Sequence, residues 1–178
     1  MKLVAGLGNP GAEYDNTRHN VGWWVLDRLA HDWGFGSFEK DGRSLRVEGV
    51  VGDVSTLLLK PTTFMNRSGS ALVGLRDLQG FDVTSDLLVV VDDTALDPGR
   101  VRFRPGGGAG GHKGLRSVSA SLATHSYARL RVGVGQVPRR EDLSEWVLSP
   151  MGDADEDMVL ECLAELSGAV EVWMREGI

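Results

Sequence analysis

The chain has 178 residues, a length that fits one domain with a core of its own. Hydrophobic residues make up 42% and charged residues 25%, which excludes a disordered chain and a collagen-like repeat. The one cysteine, Cys162, excludes a disulfide scaffold, and no apolar run approaches the roughly 20 residues of a membrane helix. Because residues 1–6 also lack the pattern of a signal peptide, these features predict a cytoplasmic protein that does not enter a membrane.

Short strands alternate with helices along the chain. Strands are predicted at residues 2–6, 44–50, 54–59, 87–91, 100–104 and 129–135. Helices are predicted at residues 20–33, 68–78, 113–123 and 153–174, the last with an apolar stripe of Met158, Cys162, Leu166, Val170 and Met174. This alternation predicts an α/β fold: a single three-layer domain over residues 1–178, with a mixed, mainly parallel central sheet flanked by helices.

Polar side chains follow three of the predicted strands. Asn9, Asn66 and Asp92 each come just after a strand, and binding sites in open α/β sheets collect at the carboxyl ends of the strands. His19 comes just before the first helix. An aspartate that accepts one imidazole N–H fixes the tautomer and leaves the other ring nitrogen as a base. We therefore take His19 and an aspartate as a hypothetical base and its partner.

Several other kinds of site are disfavoured. Residues 6–11 match the glycine pattern of a dinucleotide site, but no helix opens at the third glycine and no acidic residue follows at the expected distance. The chain has no G-x-S-x-G or H-E-x-x-H motif. His112 and His125 have no obvious carboxylate between them, so no metal site is expected. A histidine base without a protein nucleophile suggests direct attack by water.

The formal net charge of −6 hides a strongly basic segment. Residues 100–140 contain nine Lys or Arg and no Asp or Glu, out of 19 basic and 25 acidic residues in the chain. Arg102 and Arg104, like Arg129 and Arg131, alternate with apolar residues, so on strands each pair shares one face. A glycine-rich loop lies between the two pairs and offers backbone N–H groups. The segment predicts contact with a polyanion, although a solvated basic face is an alternative.

Six segments together resemble the bacterial peptidyl-tRNA hydrolase family, in order and in spacing. They are residues 6–14 (GLGNPGAEY), 17–20 (TRHN), 60–66 (KPTTFMN), Asp92, 106–112 (GGGAGGH) and 129–133 (RLRVG). The resemblance implies a monomeric α/β enzyme that hydrolyses the ester bond between an N-blocked peptide and the 3′-terminal ribose of tRNA. It implies no cofactor and no metal, and no obligate protein partner.

The resemblance also assigns roles to individual residues. His19 is expected to be the general base, Asp92 to hold it ready to accept a proton, and Asn9 to distinguish blocked from free aminoacyl groups. Tyr14, Phe64, Met65 and Asn66 are expected to contact the bound end of the substrate. Arg104 and Arg131 match the positions expected to clamp a terminal tRNA phosphate, in agreement with the basic segment.

One departure from the family pattern is Lys113, where the family usually has asparagine. Lysine offers only donors and a full positive charge, so it is a candidate donor to an oxyanion or a phosphate, or a handicap to turnover. Two alternatives stay open: a protein of the same fold that binds RNA without catalysis, and a hydrolase of a different acyl ester.

Overall fold

The computed structural model describes residues 1–178, and one mixed sheet forms the centre of the molecule. The strands are β1 (Lys2–Gly6), β2 (Glu39–Asp41), β3 (Ser44–Val51), β4 (Val54–Pro61), β5 (Leu87–Asp93), β6 (Val101–Arg104) and β7 (Ala128–Gly133). They lie side by side in the order β2-β3-β4-β1-β5-β7-β6. The four central strands β4, β1, β5 and β7 are parallel, and antiparallel strands complete both edges. The prediction of a mixed, mainly parallel sheet is confirmed.

Helices cover both faces of this sheet. The α-helices are α1 (Val21–Asp32), α2 (Val83–Asp86), α3 (Lys113–Leu122), α4 (Leu143–Val147), α5 (Asp153–Leu163) and α6 (Leu166–Glu176). Short 3-10 helices occur at Ala12–Tyr14, Arg18–Asn20, Met65–Ala71 and Val73–Asp77. None of these helices combines the length and the apolar character needed to cross a bilayer.

Alternation along the buried strands divides the apolar residues into two cores. Val4 and Val90 point to a core shared with α1, α5 and α6, while Leu3 and Val89 point to a core shared with α3 and the Met65–Ala71 segment. Successive side chains of a strand point to opposite faces, so each central strand feeds both cores. This arrangement is the three-layer α/β domain that the sequence predicts.

Two predicted helices differ from the structure. The segment 68–78 forms two 3-10 helices. Close packing accounts for the first: a side chain at Gly69 would lie 2.2 Å from the backbone oxygen of Ser117 in α3. The predicted helix 153–174 is two helices, because Glu165 N–H bonds to Cys162 O, three residues back, and interrupts the α-helical pattern.

The apolar stripe of the C-terminal segment also begins one residue later than predicted. Val159 and Leu163 are buried in α5, whereas Met158 is exposed and Cys162 is half-buried. From Leu166 onward the predicted stripe is right, since Leu166, Val170 and Met174 are buried.

A close contact between two glycines places the start of α1 against the end of β1. A side chain at Gly6 would lie 2.3 Å from the backbone oxygen of Gly22, so the strand and helix approach at a distance that only glycine allows. As a result, the Arg18–Asn20 segment before α1 lies at the carboxyl end of the parallel strands. The loops that follow β1, β4 and β5 meet at the same edge.

Candidate active site

A cleft of about 570 Å³ opens at this edge of the sheet. All ten residues predicted for the site line it: Asn9, Tyr14, His19, Phe64, Met65, Asn66, Asp92, Arg104, Lys113 and Arg131. They are spread along the chain from residue 9 to residue 131, so only the fold brings them together. The lining also includes His112, Asp93 and Arg102, and the side chains of Leu143, Ser144 and Val147 on α4.

His19 and Asp92 are in direct contact at the base of the cleft. His19 Nδ1 lies 2.7 Å from Asp92 Oδ1, and the two residues are only 8% and 3% exposed. An ionised carboxylate only accepts hydrogen bonds, so Nδ1 carries the proton and donates it to Asp92. The lone pair of His19 is therefore on Nε2 of a ring that lines the cleft, the arrangement of a general base.

A second histidine, which the sequence analysis did not select, bonds to the same carboxylate. His112 Nε2 lies 2.9 Å from Asp92 Oδ1, and the rings of His112 and His19 are 4.9 Å apart. The other nitrogen, His112 Nδ1, accepts the backbone N–H groups of Gly114 and Leu115 at 3.1 and 3.2 Å. Because Nδ1 is an acceptor, His112 is neutral, with its proton on Nε2. The sequence feature that could have pointed to His112 is its position just before a predicted helix, where a side chain can cap the first turn.

Burial and hydrogen bonding act on Asp92 in opposite directions. Burial disfavours the charged carboxylate, but the positive N–H ends of the His19 and His112 rings, which attract the carboxylate and donate hydrogen bonds to it, outweigh the burial. The net effect holds the pKa of Asp92 well below its usual range. Asp92 therefore stays ionised at neutral pH and remains an acceptor for both histidines.

The cluster of His19, Asp92 and His112 has the residue types of a metal site, with ligand atoms within 4.8 Å of one another. The hydrogen bonding of His112 argues against that use. A metal at Nε2 would require the ring proton on Nδ1, where two backbone N–H groups already point. The residues present do not fit a cation in this position.

Asn9 is held in the cleft at three points. The Asn20 side chain pairs with both backbone groups of Asn9, through Oδ1 at 2.8 Å and Nδ2 at 2.9 Å. The side-chain oxygen of Asn9 accepts the backbone N–H of Met65 at 2.7 Å. The amide NH₂ of Asn9 is thus the group left for a ligand, so Asn9 offers hydrogen-bond donors to the cleft.

Two aromatic rings and an asparagine form one wall of the cleft. The rings of Tyr14 and Phe64 meet edge to face with centroids 6.4 Å apart, and Phe64 is 56% exposed. Asn66 is exposed beside them, while the side chain of Met65 is buried. An exposed aromatic face next to polar groups suits a ligand with both a flat ring and hydrogen-bonding groups.

The arginines of β6 and β7 have different environments. Arg129 is only 1% exposed and donates to the backbone oxygens of Gly108 and His125 at 2.7 and 3.3 Å, beneath the glycine-rich loop. Arg131 pairs through Nε with Asp93 Oδ2 at 2.9 Å and lines the cleft. Although the two share a strand face as predicted, only Arg131 reaches the cleft.

Three further cations line the same cleft without an acidic partner: Arg102, Arg104 and Lys113. Arg102 lies directly across the β6–β7 pair from Arg131 and was not selected from the sequence, although the alternation with Arg104 carried the signal. Lys113 is the first residue of α3 and is exposed. This side of the cleft is therefore positively charged and suits an anion.

Comparison with known proteins agrees with this architecture. The family model described as peptidyl-tRNA hydrolase matches residues 3–178. A peptidyl-tRNA hydrolase of Gemmatimonas aurantiaca is 43% identical over 180 residues, covering 99% of this chain and 95% of the relative. One from Chloroflexus aggregans is 39% identical over 178 residues, covering 100% of this chain and 95% of the relative.

A solved structure shares the fold. The crystal structure of peptidyl-tRNA hydrolase from Acinetobacter baumannii superposes with a TM-score of 0.91 at 30% identity, covering 98% of this chain and 89% of that one. The family match spans nearly the whole chain, and the relatives are similar over nearly their whole length. The chain belongs to the peptidyl-tRNA hydrolase family.

Proposed function

We propose that this chain hydrolyses the ester bond between an N-blocked peptide and the 3′-terminal ribose of tRNA, releasing the peptide and free tRNA. The observation that carries the proposal is the contact of His19 Nδ1 with Asp92 at 2.7 Å. The other nitrogen of the same ring, Nε2, has no protein partner, and the ring lines a cleft with several basic side chains. Family membership supports the same reaction.

The chemistry needs a base, water and a place for the negative charge. His19 Nε2 removes a proton from water while the water oxygen attacks the ester carbonyl carbon, a step typically accelerated about 10²–10⁴-fold by general-base catalysis. The tetrahedral intermediate then collapses, the carbon–oxygen bond to the ribose breaks, and the imidazolium returns its proton to the ribose oxygen. Asp92 stabilises the imidazolium between these steps.

The unpaired amide of Asn9 supports two roles near the reacting carbon. Its NH₂ donates to a carbonyl oxygen of the blocked peptide or to the oxyanion, a contact that gains strength as charge develops. A free α-amino group is a cation that offers no acceptor to this NH₂ group, so recognition favours the blocked substrate. Asn66 also lines the cleft and is proposed to share this work.

The charged and aromatic parts of the lining suit the end of a tRNA. Phe64 and Tyr14 offer ring surfaces for unpaired bases, an interaction of about 1–3 kcal/mol per base. Arg104 and Arg131 are proposed to clamp a phosphate, with Arg131 oriented by Asp93. We further propose that the enzyme works in the cytoplasm as a monomer, without a metal or cofactor and without an obligate protein partner.

The test is release of the acyl group from tRNA measured side by side for N-acetyl-aminoacyl-tRNA and unblocked aminoacyl-tRNA. We expect rapid release of the blocked group and little above the spontaneous rate for the free one. Binding of tRNA without release of either group would favour the alternative of a non-catalytic RNA-binding protein. Equal release of both would favour a less specific esterase.

A further inference from the structure

The carboxylate of Asp92 receives two imidazole N–H groups on one oxygen. His19 Nδ1 donates to Oδ1 at 2.7 Å, and His112 Nε2 donates to the same atom at 2.9 Å. Both histidine side chains are about nine-tenths buried, and Asp92 is more so. The proposed mechanism uses His19 and Asp92 but gives His112 no task, although its hydrogen bond to the carboxylate is as direct.

The first turn of α3 fixes the proton of His112. His112 is the residue that caps this helix, and its Nδ1 accepts two backbone N–H groups, from Gly114 and Leu115. These N–H groups form part of the positive end of the helix. A proton on Nδ1 would remove both bonds and point at two donors, so His112 neither changes tautomer nor gains a second proton without uncapping α3. Its Nε2–H is thereby always directed to Asp92.

We propose that His112 is a positioning residue that acts through Asp92, with a tautomer locked by the N-terminus of α3. This inference rests on the proposed function, since it concerns the reaction of His19. The locked N–H holds Asp92 Oδ1 facing His19 and spreads the carboxylate charge over two hydrogen bonds. Asp92 then orients His19 as a base. Because part of the carboxylate charge is used by His112, Asp92 stabilises the His19 imidazolium less strongly, and the imidazolium can still return its proton to the ribose oxygen.

The fixed tautomer of His112 also prevents the two histidine rings from being positively charged at the same time. When His19 takes a proton from water, its ring centroid lies 4.9 Å from that of His112, and a second imidazolium there would repel it. Asp92 would then be shared between two charges. A His112 that stays neutral still donates its hydrogen bond to Asp92 but places no second positive charge beside the His19 imidazolium.

Other charged groups around His19 set the background for any pH measurement. Arg18 precedes it in the chain and donates to the backbone oxygens of Ser149 and Pro150, just after α4. Asp93 and Arg131 form an ion pair at the cleft, and Lys113, Arg102 and Arg104 line it. A variant at His112 alone leaves all of these charged residues in the chain, so its pH profile is compared with that of wild type against the same set of charges.

The first experiment follows the ring nitrogens of His112 directly by ¹H–¹⁵N NMR of the wild-type protein between pH 5 and 8. We expect His112 to keep a protonated Nε2 and a bare Nδ1 over the whole range. A ring that gains a second proton in this range, or that carries its proton on Nδ1, would overturn the inference. The measurement needs no substrate, so it is independent of the proposed function.

The second experiment compares two variants of His112 that separate the cap from the bond to Asp92. His112→Asn keeps a side-chain oxygen suited to capping but is too short to bridge to Asp92, whereas His112→Ala loses both contacts. His125→Asn, on an exposed histidine outside the cleft, is the matched control. Thermal unfolding identifies the stability lost with the cap.

For His112→Asn we expect kcat to fall roughly ten- to a hundredfold, the factor for a lost hydrogen bond to a buried charge, with KM within about twofold. We expect the acidic limb of kcat/KM to move to higher pH, because Asp92 with one donor fewer holds the proton on His19 more strongly. Wild-type kcat and an unchanged acidic limb in His112→Asn would refute the inference while leaving the proposed function intact. No release by wild type would instead refute the proposed function.

Discussion

The side chain of Asn20 satisfies both backbone groups of Asn9, accepting its N–H at 2.8 Å and donating to its oxygen at 2.9 Å. Both residues are buried. The amide of Asn20 thus replaces a strand partner for Asn9 just after β1 and fixes the position of the Asn9 side chain at the cleft. Asn20, which does not line the cleft, thereby fixes the position of Asn9, which does.

Replacing Asn20 with alanine is expected to damage both stability and activity. Each of the two Asn9 backbone groups left without a partner costs about 1–3 kcal/mol, and kcat/KM falls because Asn9 is no longer fixed. Chemical denaturation and the release assay measure the two effects. The control Asn16→Ala changes an exposed residue, and we expect its unfolding free energy to stay within about 0.5 kcal/mol of wild type. A wild-type unfolding free energy in Asn20→Ala would contradict this account.

Asp92 is expected to make stability depend on pH below neutrality. The pKa of Asp92 is lower in the folded protein than in the unfolded chain. Its contribution to the unfolding free energy is therefore fully present above about pH 4, the usual carboxyl pKa, and is lost as the pH falls from there through the folded pKa. In Asp92→Asn the unfolding free energy should therefore fall less steeply below about pH 4, by up to about 1.4 kcal/mol per pH unit. Denaturant titrations from pH 3 to 7 measure the slope. The same slope in Asp92→Asn and wild type would contradict the prediction, with Asp77→Asn on an exposed carboxylate as control.

The sequence predicts the central strands well because their signal is local. The run Leu87–Val91 is apolar throughout and is buried throughout, as expected for a strand covered on both faces. The segment 68–78 was mistaken for an α-helix because its shape depends on contact with α3, which no local pattern reveals. The turn within 153–174 was missed because the predicted apolar stripe continues from Cys162 to Leu166 across it at helical spacing.

The residues of the site and the hypothesis of a His19–Asp92 pair came from the sequence, but the other hydrogen bonds of the site did not. His19, Asn9 and Asp92 were selected from their positions at element ends, and the structure brings them to one cleft. The bond from His112 to Asp92 spans 20 residues, and its meaning depends on which ring nitrogen faces α3. Likewise, only the covering loop distinguishes the buried Arg129 from Arg131 in the cleft. Their roles in catalysis and binding stay predictions.

Lys113→Asn tests the residue that departs from the family pattern. Lys113 lines the cleft without an acidic partner, so we expect it to contact a phosphate of the substrate. The variant should raise KM several-fold, leave kcat within about threefold, and lower the salt dependence of tRNA binding by about one unit of slope. Lys113→Arg should keep the slope. A large gain in kcat in Lys113→Asn would show that lysine is a handicap there.

Arg131 and Arg129 should respond differently to the same substitution. Arg131→Ala is expected to weaken tRNA binding and reduce its salt slope by about 0.7–0.9, because a cation at the cleft is lost. Arg129→Ala is expected to lower the unfolding free energy instead, since the backbone oxygens of Gly108 and His125 lose their donor. Binding isotherms between 50 and about 200 mM salt and denaturation curves distinguish the two. An unchanged slope in Arg131→Ala would reject the phosphate clamp.

The central claim is that the neutral ring of His19, oriented by Asp92, activates water. Its most direct test is the rate of N-acetyl-aminoacyl release by His19→Ala under single-turnover conditions, with tRNA affinity measured on the same samples. His31→Ala, on a histidine that is largely exposed in α1, is the control. We expect release by His19→Ala to drop to the spontaneous rate while tRNA affinity stays within a few-fold of wild type. Release by His19→Ala at the wild-type rate would contradict the account.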